Sequence, residues 1–233
     1  MKLSQKHGKN RGAFTLIEML VVIAIIGILA GITFPVVKGV MVKRAKAGAK
    51  AQIENLDTLI NSYHAQFNSY PLDNPDLSLP KRNAVHPLYY ELMGSTFNST
   101  MSRYETVSEN ILENEVRNHF KQDGLRNVTH DANNPESPKS KTFLESLNST
   151  DVESLRTIDG ANIRLLKARV KDVEMNMITN ASGSLFNPVR YVSTNPTNNQ
   201  GRFDLWIEFE VGGNRYRASN WEKDVITLER APQ

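Results

Sequence analysis

The residue types that most often perform chemistry are sparse and widely spaced in this sequence. Histidines fall at positions 7, 64, 86, 119 and 130, and their spacing is not that of a metal site. The chain contains no cysteine, which excludes a disulfide framework and a thiolate metal site. The sequence motifs of phosphate-binding loops, zinc proteases and serine hydrolases are missing from it. We therefore expect that the protein is not an enzyme and has no resident cofactor.

Residues 195–204 (NPTNNQGRFD) form an oxygen-rich segment at the start of a predicted strand, the kind of place where Ca²⁺ could bind. Asp204 is the one acid in this segment, whereas a calcium site normally collects several carboxylates. Two interpretations stay open: a solvated turn, which we favour, and a weak Ca²⁺ site at Asp204.

Glu18 is the most unusual titratable residue, because it lies inside an apolar stretch. Residues 19–37 (MLVVIAIIGILAGITFPVV) carry no charge, and with their apolar neighbours they are long enough to cross a hydrocarbon layer of roughly 30 Å as a helix. An ionised carboxylate is costly there unless it finds a partner. A plain membrane anchor has no use for such a residue, so Glu18 indicates more than an anchor.

The residues around Glu18 carry a family resemblance. Gly12-Ala13 directly precedes Phe14, and the run GAFTLIEMLVVIAIIGILAGITFP resembles the N-terminal signal of type IV pilins and type II secretion pseudopilins. The resemblance covers roughly residues 9 to 70. It implies that a prepilin peptidase cuts on the cytoplasmic side of the apolar segment and methylates the new N-terminus. It also implies that the apolar helix stays in the mature protein.

Two leader-cleavage positions remain open. Cleavage after Ala13 makes Phe14 the first, N-methylated residue and Glu18 the fifth, whereas cleavage after Gly12 makes Ala13 the first and Glu18 the sixth. We favour cleavage between Ala13 and Phe14, since the family has its glutamate at the fifth position. In that family the glutamate pairs with the free α-amine of a neighbouring subunit, which implies an assembly role for Glu18. The pairing satisfies two charges that are costly in lipid.

The favoured cleavage position also fits the helix that follows. Counted from Phe14, Gly27 and Pro35 fall where the family commonly has a glycine and a helix-bending proline. Pro35 removes a backbone donor, which predicts a kink. Beyond it, apolar residues recur every three or four positions, as in an amphipathic helix; they are Ala49, Ile53, Leu56, Ile60, Tyr63 and Phe67. Tyr70-Pro71 closes the predicted helix.

These features divide the chain into five segments. We predict a basic leader at 1–13, a transmembrane and assembly helix at 14–42, its amphipathic continuation at 43–70, a polar region of loops and short helices at 71–162, and an antiparallel β-sheet region at 163–233. The predicted fold class is α+β. It consists of a long N-terminal helical spine, with a membrane-embedded first half, packed on a C-terminal antiparallel sheet that forms the head.

Local patterns predict individual elements in the second half of the chain. A helix is expected over 105–122, with an apolar face that consists of Val107, Ile111, Leu112, Val116 and Phe120. Thr150 to Glu153 has the form of a capping box and predicts the start of another short helix. Alternating residues over 203–211, followed by Gly212-Gly213, predict a β-hairpin.

The distribution of charge argues against one class of partner. The net charge is +3, but residues 1–13 carry four basic residues and no acid. The remaining 24 basic and 25 acidic residues sum to −1. Without its leader the chain is close to neutral, so we expect no nucleic-acid binding.

Together these observations predict a structural subunit of a type II secretion pseudopilus or a type IV pilus-like filament. Its expected partners are a prepilin peptidase, other copies or other pseudopilins in a filament, and inner-membrane lipid before assembly. We expect a single-pass protein of the bacterial inner membrane with its head in the periplasm, and a filament in the periplasm or at the cell surface. The alternative is a membrane-anchored module whose enlarged head recognises a ligand or substrate.

Overall fold

A computed structural model describes residues 15–76, 83–131, 133–134, 136–144, 149–157, 160–173 and 176–228. At residues 32–37 and 149 it describes the backbone alone. The chain divides into two compact units, residues 1–41 and residues 42–233.

One helix, α1 (Leu16–Phe67), contributes to both units. In the second unit the predicted apolar stripe is buried: Ala49, Ile53, Leu56, Ile60 and Tyr63 are in the core, with Phe67 packed against it. The helix ends three residues before the predicted end at Tyr70. Asn68 adopts a φ of 50° there and donates its backbone N–H to the carbonyl oxygen of His64 at 2.8 Å. Asparagine tolerates this left-handed geometry, which commonly ends helices.

The predicted membrane-embedded first half of α1 is not confirmed. Within the described residues, no helix has both the length and the apolar character that crossing a membrane requires. The backbone of α1 is helical through Pro35, whose side chain lies outside the described residues. The kink expected at Pro35 therefore stays a prediction.

A first four-stranded sheet follows α2 (Leu88–Met93) and has the strand order β3-β2-β1-β4. Its strands are β1 (Ser95–Asn98), β2 (Arg103–Glu105), β3 (Asn110–Leu112) and β4 (Val128–Thr129). β1 pairs antiparallel with β2 and parallel with β4. The helix α3 (Glu113–Phe120) follows β3 directly.

The helix predicted over 105–122 is wrong in its first half. Thr106 Oγ1 accepts the backbone N–H of Glu109 at 3.1 Å, which closes a turn before β3. Local side-chain bonds of this kind compete with helix formation. The predicted burial is confirmed at Ile111, Val116 and Phe120 but wrong at Val107 and Leu112, which are exposed.

The short helix predicted from Thr150 is also wrong. A 3-10 turn at Ser149–Asp151 passes directly into β5 (Val152–Arg156), which pairs antiparallel with β6 (Asn162–Leu166). Strand pairing therefore overrides the local capping signal. A second two-stranded antiparallel sheet joins β7 (Ile178–Thr179) and β8 (Leu185–Phe186).

The C-terminal sheet is antiparallel and has the strand order β12-β11-β10-β9. Its strands are β9 (Arg190–Val192), β10 (Asp204–Val211), β11 (Asn214–Ser219) and β12 (Ile226–Leu228). The predicted alternation is confirmed in β10, where Leu205, Ile207 and Phe209 are fully buried. The predicted hairpin turns at Gly212 and Gly213, which both have positive φ. The α+β class and the C-terminal antiparallel sheet are thus confirmed.

Two polar side chains of α1 bond to backbone groups at or just after the ends of β6 and β11. The Gln52 amide donates to the carbonyl oxygen of Lys167 at 2.8 Å and accepts the N–H of Arg169 at 3.1 Å. Lys50 Nζ donates to the carbonyl oxygens of Ser219 and Glu222 at 3.1 and 2.7 Å. These contacts supplement the apolar stripe in fixing the second half of α1 against the rest of its unit.

Candidate functional site

The N-terminal turn of α1 is held by Thr15 and Glu18. The Glu18 carboxylate accepts both the backbone N–H and the hydroxyl of Thr15, each at 2.8 Å. In return, Thr15 Oγ1 accepts the backbone N–H of Glu18 at 3.3 Å. This reciprocal pair is a capping box, which satisfies amide groups that the first helical turn leaves without partners. The T-x-x-E spacing of Thr15 and Glu18 is typical of a capping box, but only an assembly role was predicted for Glu18 from the sequence.

The helix that follows this cap exposes a continuous apolar surface. From Leu16 to Leu29, its large apolar side chains are between 44% and 83% exposed. Soluble monomers rarely expose apolar patches of this extent, and large ones mark contact with membranes or other proteins. The first unit therefore presents a surface suited to lipid or to other apolar helices.

The predicted processing residues cannot be placed relative to this cap. Gly12, Ala13 and Phe14 lie outside the described residues, which begin at Thr15. Their assigned roles in cleavage and N-methylation remain predictions.

The candidate calcium loop is organised around Asp204 in a way that sequence reasoning did not foresee. Its carboxylate accepts the backbone N–H groups of Thr197, Asn198 and Asn199 at 2.8–2.9 Å, together with the side-chain amide of Asn198 at 3.0 Å. Asp204 is buried at 3% exposure. N–H groups thus surround this carboxylate, and their hydrogen bonds close the loop onto the start of β10.

The histidines do not come together in the described part of the chain. His64 stacks on Tyr70, with ring centroids 4.3 Å apart, and His130 is exposed beside Phe97. His86 is buried, and its Nε2 lies 3.1 Å from the carbonyl oxygen of Val189. Burial lowers the pKa of His86 to about 4. Among the described residues, no group of three or more histidines and carboxylates is placed to hold a metal ion.

A buried carboxylate, Glu91, joins α2 to α1 and to the segment before β4. It accepts the Tyr63 hydroxyl at 2.7 Å and the backbone N–H groups of Arg126 and Asn127 at 2.8 and 3.1 Å. Burial raises the pKa of the Glu91 carboxyl, against the opposing effect of these donors. Sequence reasoning missed this network because its members are 28 to 36 positions apart.

Open polar cavities lie on the second unit. One, of about 520 Å³, is lined by Tyr70, Ser193, Asn195, Pro196, Gln200, Gly201 and Arg202. Another, of about 600 Å³, lies beside β6 and β8 and includes Glu153, Lys167 and Arg169. In the latter, Lys167 pairs with Glu153 at 2.9 Å and Arg169 pairs with Asp151 at 2.6 Å, and Lys171 adds a further cation to the lining. Neither cavity brings together the groups of a catalytic site.

Comparison with known proteins places the N-terminal segment in a recognised group. The family model described as "Prokaryotic N-terminal methylation motif" matches residues 8–34. The chain is 37% identical over 70 residues to the type IV major pilin protein PilA of Myxococcus xanthus, which is 30% of this chain and 31% of the pilin. It is 38% identical over 81 residues to the type II secretion system core protein G of Escherichia coli, which is 34% of this chain and 55% of that protein.

These similarities span less than two thirds of each relative's length. No solved structure matches the chain. Neither relative bears the name of an enzyme. The chain thus carries the methylation motif at residues 8–34, and over about a third of its length it is similar to a type IV pilin and to a type II secretion system core protein.

Proposed function

We propose that this protein is a structural subunit of a type II secretion pseudopilus or a type IV pilus-like filament, which polymerises through its N-terminal helix. The observation that carries the proposal is the exposed apolar surface of α1 between Leu16 and Leu29. Such a surface needs lipid around it before assembly and other copies of the helix afterwards. The similarity to a major pilin and to a secretion-system core protein supports the same function.

The proposed maturation begins with a prepilin peptidase, which cuts between Ala13 and Phe14 and methylates the amine of Phe14. The match of residues 8–34 to the methylation motif supports this step. Mass spectrometry of the protein purified from cells with the peptidase should find N-methyl-phenylalanine at the N-terminus. A mature chain that starts at Ala13 would contradict the choice of cleavage position.

Before assembly, we propose a single-pass location in the bacterial inner membrane with the second unit in the periplasm. The apolar run at residues 19–37 supports this location. Protease added to spheroplasts should digest the second unit, and carbonate washing should leave the chain with the membrane. Release of the chain by carbonate would contradict anchoring.

In assembly, we propose that the Glu18 carboxylate pairs with the α-amine of a neighbouring subunit. The cap gives Glu18 a second role within its own helix, so a useful test must separate charge from capping. Glu18→Gln keeps an acceptor for the Thr15 N–H, as glutamine does in capping boxes, but removes the charge. Thr15→Ala removes the hydroxyl of the cap and keeps the charge.

We expect Glu18→Gln to insert into membrane and to be excluded from filaments, whereas Thr15→Ala assembles. Sheared-filament yield and membrane fractionation measure the two quantities. If Thr15→Ala fails to assemble as severely as Glu18→Gln does, capping rather than charge pairing explains the need for Glu18.

A second candidate function, recognition of a ligand by the head, is supported by the polar cavity of about 520 Å³ next to Tyr70 and Arg202. Arg202→Ser removes a cation from its lining, and this side chain is half exposed. If the head binds a ligand there, Arg202→Ser chains should form filaments in normal amounts but fail to support secretion or adhesion. Normal secretion and adhesion by the variant would argue against this function.

A further inference from the structure

The second half of α1 begins with a cluster of cations, Lys43, Arg44, Lys46 and Lys50, which we call the basic collar. No acidic residue occurs between Glu18 and Glu54. Glu54 is four residues after Lys50, but Lys43, Arg44 and Lys46 have no acidic neighbour within one turn along the helix. Lys43 and Arg44 are exposed. Within the described residues, neither makes an ion pair.

Elsewhere in the second unit, cations commonly lie close to acidic side chains. Most of its arginines lie within 4 Å of a carboxylate; the pairs include Arg103 with Glu105, Arg117 with Glu113, Arg169 with Asp151, Arg190 with Asp172, Arg215 with Glu208 and Arg217 with Glu222. Against this background the charge of the collar is unbalanced. An unbalanced patch of one sign attracts partners of the opposite sign.

The inner cations of the collar are held in place by neutral groups. Lys46 Nζ lies 4.1 Å from the ring centroid of Tyr216, and Lys50 Nζ donates to two backbone carbonyls. Carbonyls and a ring orient these ammonium groups but do not cancel their charge. The positions of two collar charges are therefore fixed relative to the C-terminal sheet.

The turn between β10 and β11 lies beside the first residues of the collar. A Cβ placed on Gly212 would be 3.1 Å from the side chain of Val42. The turn residues Gly212, Gly213 and Asn214 are exposed and uncharged. The nearest acid along the strand, Glu210, lies opposite Arg215 in the sheet register. The surface next to Val42 thus combines cations with a neutral turn.

We propose that the basic collar binds the phosphate groups of anionic phospholipids. The inference rests on the membrane anchoring proposed above, because the collar begins at Lys43, six residues after the end of the apolar run at residues 19–37. Basic residues next to a membrane segment are attracted to anionic headgroups within about a Debye length, and the attraction weakens with salt. The collar holds the second unit close to the headgroup layer until the subunit is drawn into a filament.

The test uses the full chain reconstituted in vesicles. Because the chain contains no cysteine, Asn214→Cys provides a single site for a fluorescent label on the turn beside Val42. Quenching by nitroxide-headgroup lipid is measured in phosphatidylcholine vesicles with and without phosphatidylglycerol. Flotation of the vesicles is measured in parallel and reports on anchoring.

We expect stronger quenching with phosphatidylglycerol, and weaker quenching in high salt. Lys43→Gln should reduce the ratio of lipid-contacting to free conformations roughly fivefold, and Lys43→Gln with Arg44→Gln should reduce it about 25-fold. Lys121→Gln is the matched control, since Lys121 is an exposed cation away from the collar, and it should change nothing.

The outcomes separate the two proposals. A chain that does not float with phosphatidylcholine vesicles contradicts membrane anchoring. It also overturns the proposed contact with anionic lipid, which depends on anchoring. A chain that floats with both vesicle types but shows equal quenching overturns the lipid contact alone. Quenching that rises with the number of chains per vesicle, and not with phosphatidylglycerol, means that the collar faces another copy and also overturns it.

Discussion

The hydroxyl of Tyr63 in α1 donates a 2.7 Å hydrogen bond to the carboxylate of Glu91 in α2, and both side chains are fully buried. The bond links the long helix to the part of the chain between that helix and the sheets. Among the described residues, the remaining donors to the Glu91 carboxylate are backbone N–H groups, so Tyr63 is the one side chain in that part of the chain that donates to it.

Tyr63→Phe should lower the free energy of unfolding by about 1–3 kcal/mol, because it leaves a buried carboxylate one donor short. Urea unfolding in detergent, followed by the fluorescence of Trp206 and Trp221, measures the loss. Tyr89→Phe is the control, since the Tyr89 hydroxyl makes a longer bond of 3.3 Å to Ser108. Equal losses for the two variants would contradict a special role for the Glu91 contact.

Stability should fall as pH drops from about 6.5 towards 4 because of His86. Burial lowers its pKa to about 4, so in this range the unfolded chain binds a proton that the folded chain does not. The neutral ring keeps its proton on Nε2, which faces the carbonyl oxygen of Val189. The stabilisation present above pH 6.5 is lost through this window, up to roughly 3 kcal/mol.

His86→Gln should flatten this part of the pH profile, whereas His130→Gln should not, since His130 is exposed. The free energy of unfolding at half-unit steps of pH checks both. An unchanged slope in His86→Gln would assign the pH dependence to other groups.

Gly212→Ala should destabilise the second unit for two reasons that a control can separate. The residue has a φ of +63°, and its new Cβ would meet Val42 at 3.1 Å. Gly213→Ala also places an alanine at a positive φ, +82°, but no atom lies within 4 Å of its Cβ. We expect a loss of about 1 kcal/mol from conformation in each and a further loss in Gly212→Ala. Val42→Ala should recover that further loss, as a double-mutant cycle would show.

Asp204→Ala should open the loop over residues 195–204 and cost about 2–3 kcal/mol, because three backbone N–H groups lose a charged acceptor. With those N–H groups around the carboxylate, we expect added Ca²⁺ to leave the melting temperature unchanged. A calcium-dependent rise in melting temperature that Asp204→Ala abolishes would support the weak calcium site.

Two elements that were predicted from periodic and turn-forming patterns are present in the structure. The apolar stripe from Ala49 to Tyr63 is buried, and the alternation in β10 ends at the expected glycine turn. In both cases one side of a regular element is buried, and the periodicity of that element's own sequence indicates which side. The apolar character of the start of α1 was equally predictable, because it depends on residue type alone, whereas its exposure is a finding of the structure.

Features that depend on distant partners were not predictable. The capping pattern at Thr150 predicted a helix, but the backbone that follows forms β5 because it pairs with β6 along five residue pairs. For Asp204 the sequence left a solvated turn and a weak Ca²⁺ site open, because its role depends on which backbone groups point at it, and here they are N–H groups. The failure at Val107 has a local cause, the Thr106–Glu109 turn, whose side-chain bond leaves no trace in hydrophobic periodicity.

The side chain of Gln52 imitates a peptide group, since its amide both donates to and accepts from the backbone just after β6. A stripe of apolar contacts resists separation of two surfaces but allows them to slide. An amide with two fixed partners resists such sliding, because a shift of one helical turn, about 5.4 Å, breaks both of its hydrogen bonds at once. In a filament of the kind proposed above, a pull along the axis of α1 would therefore load the two bonds of Gln52 after β6, together with the two bonds of Lys50 to the carbonyl oxygens of Ser219 and Glu222.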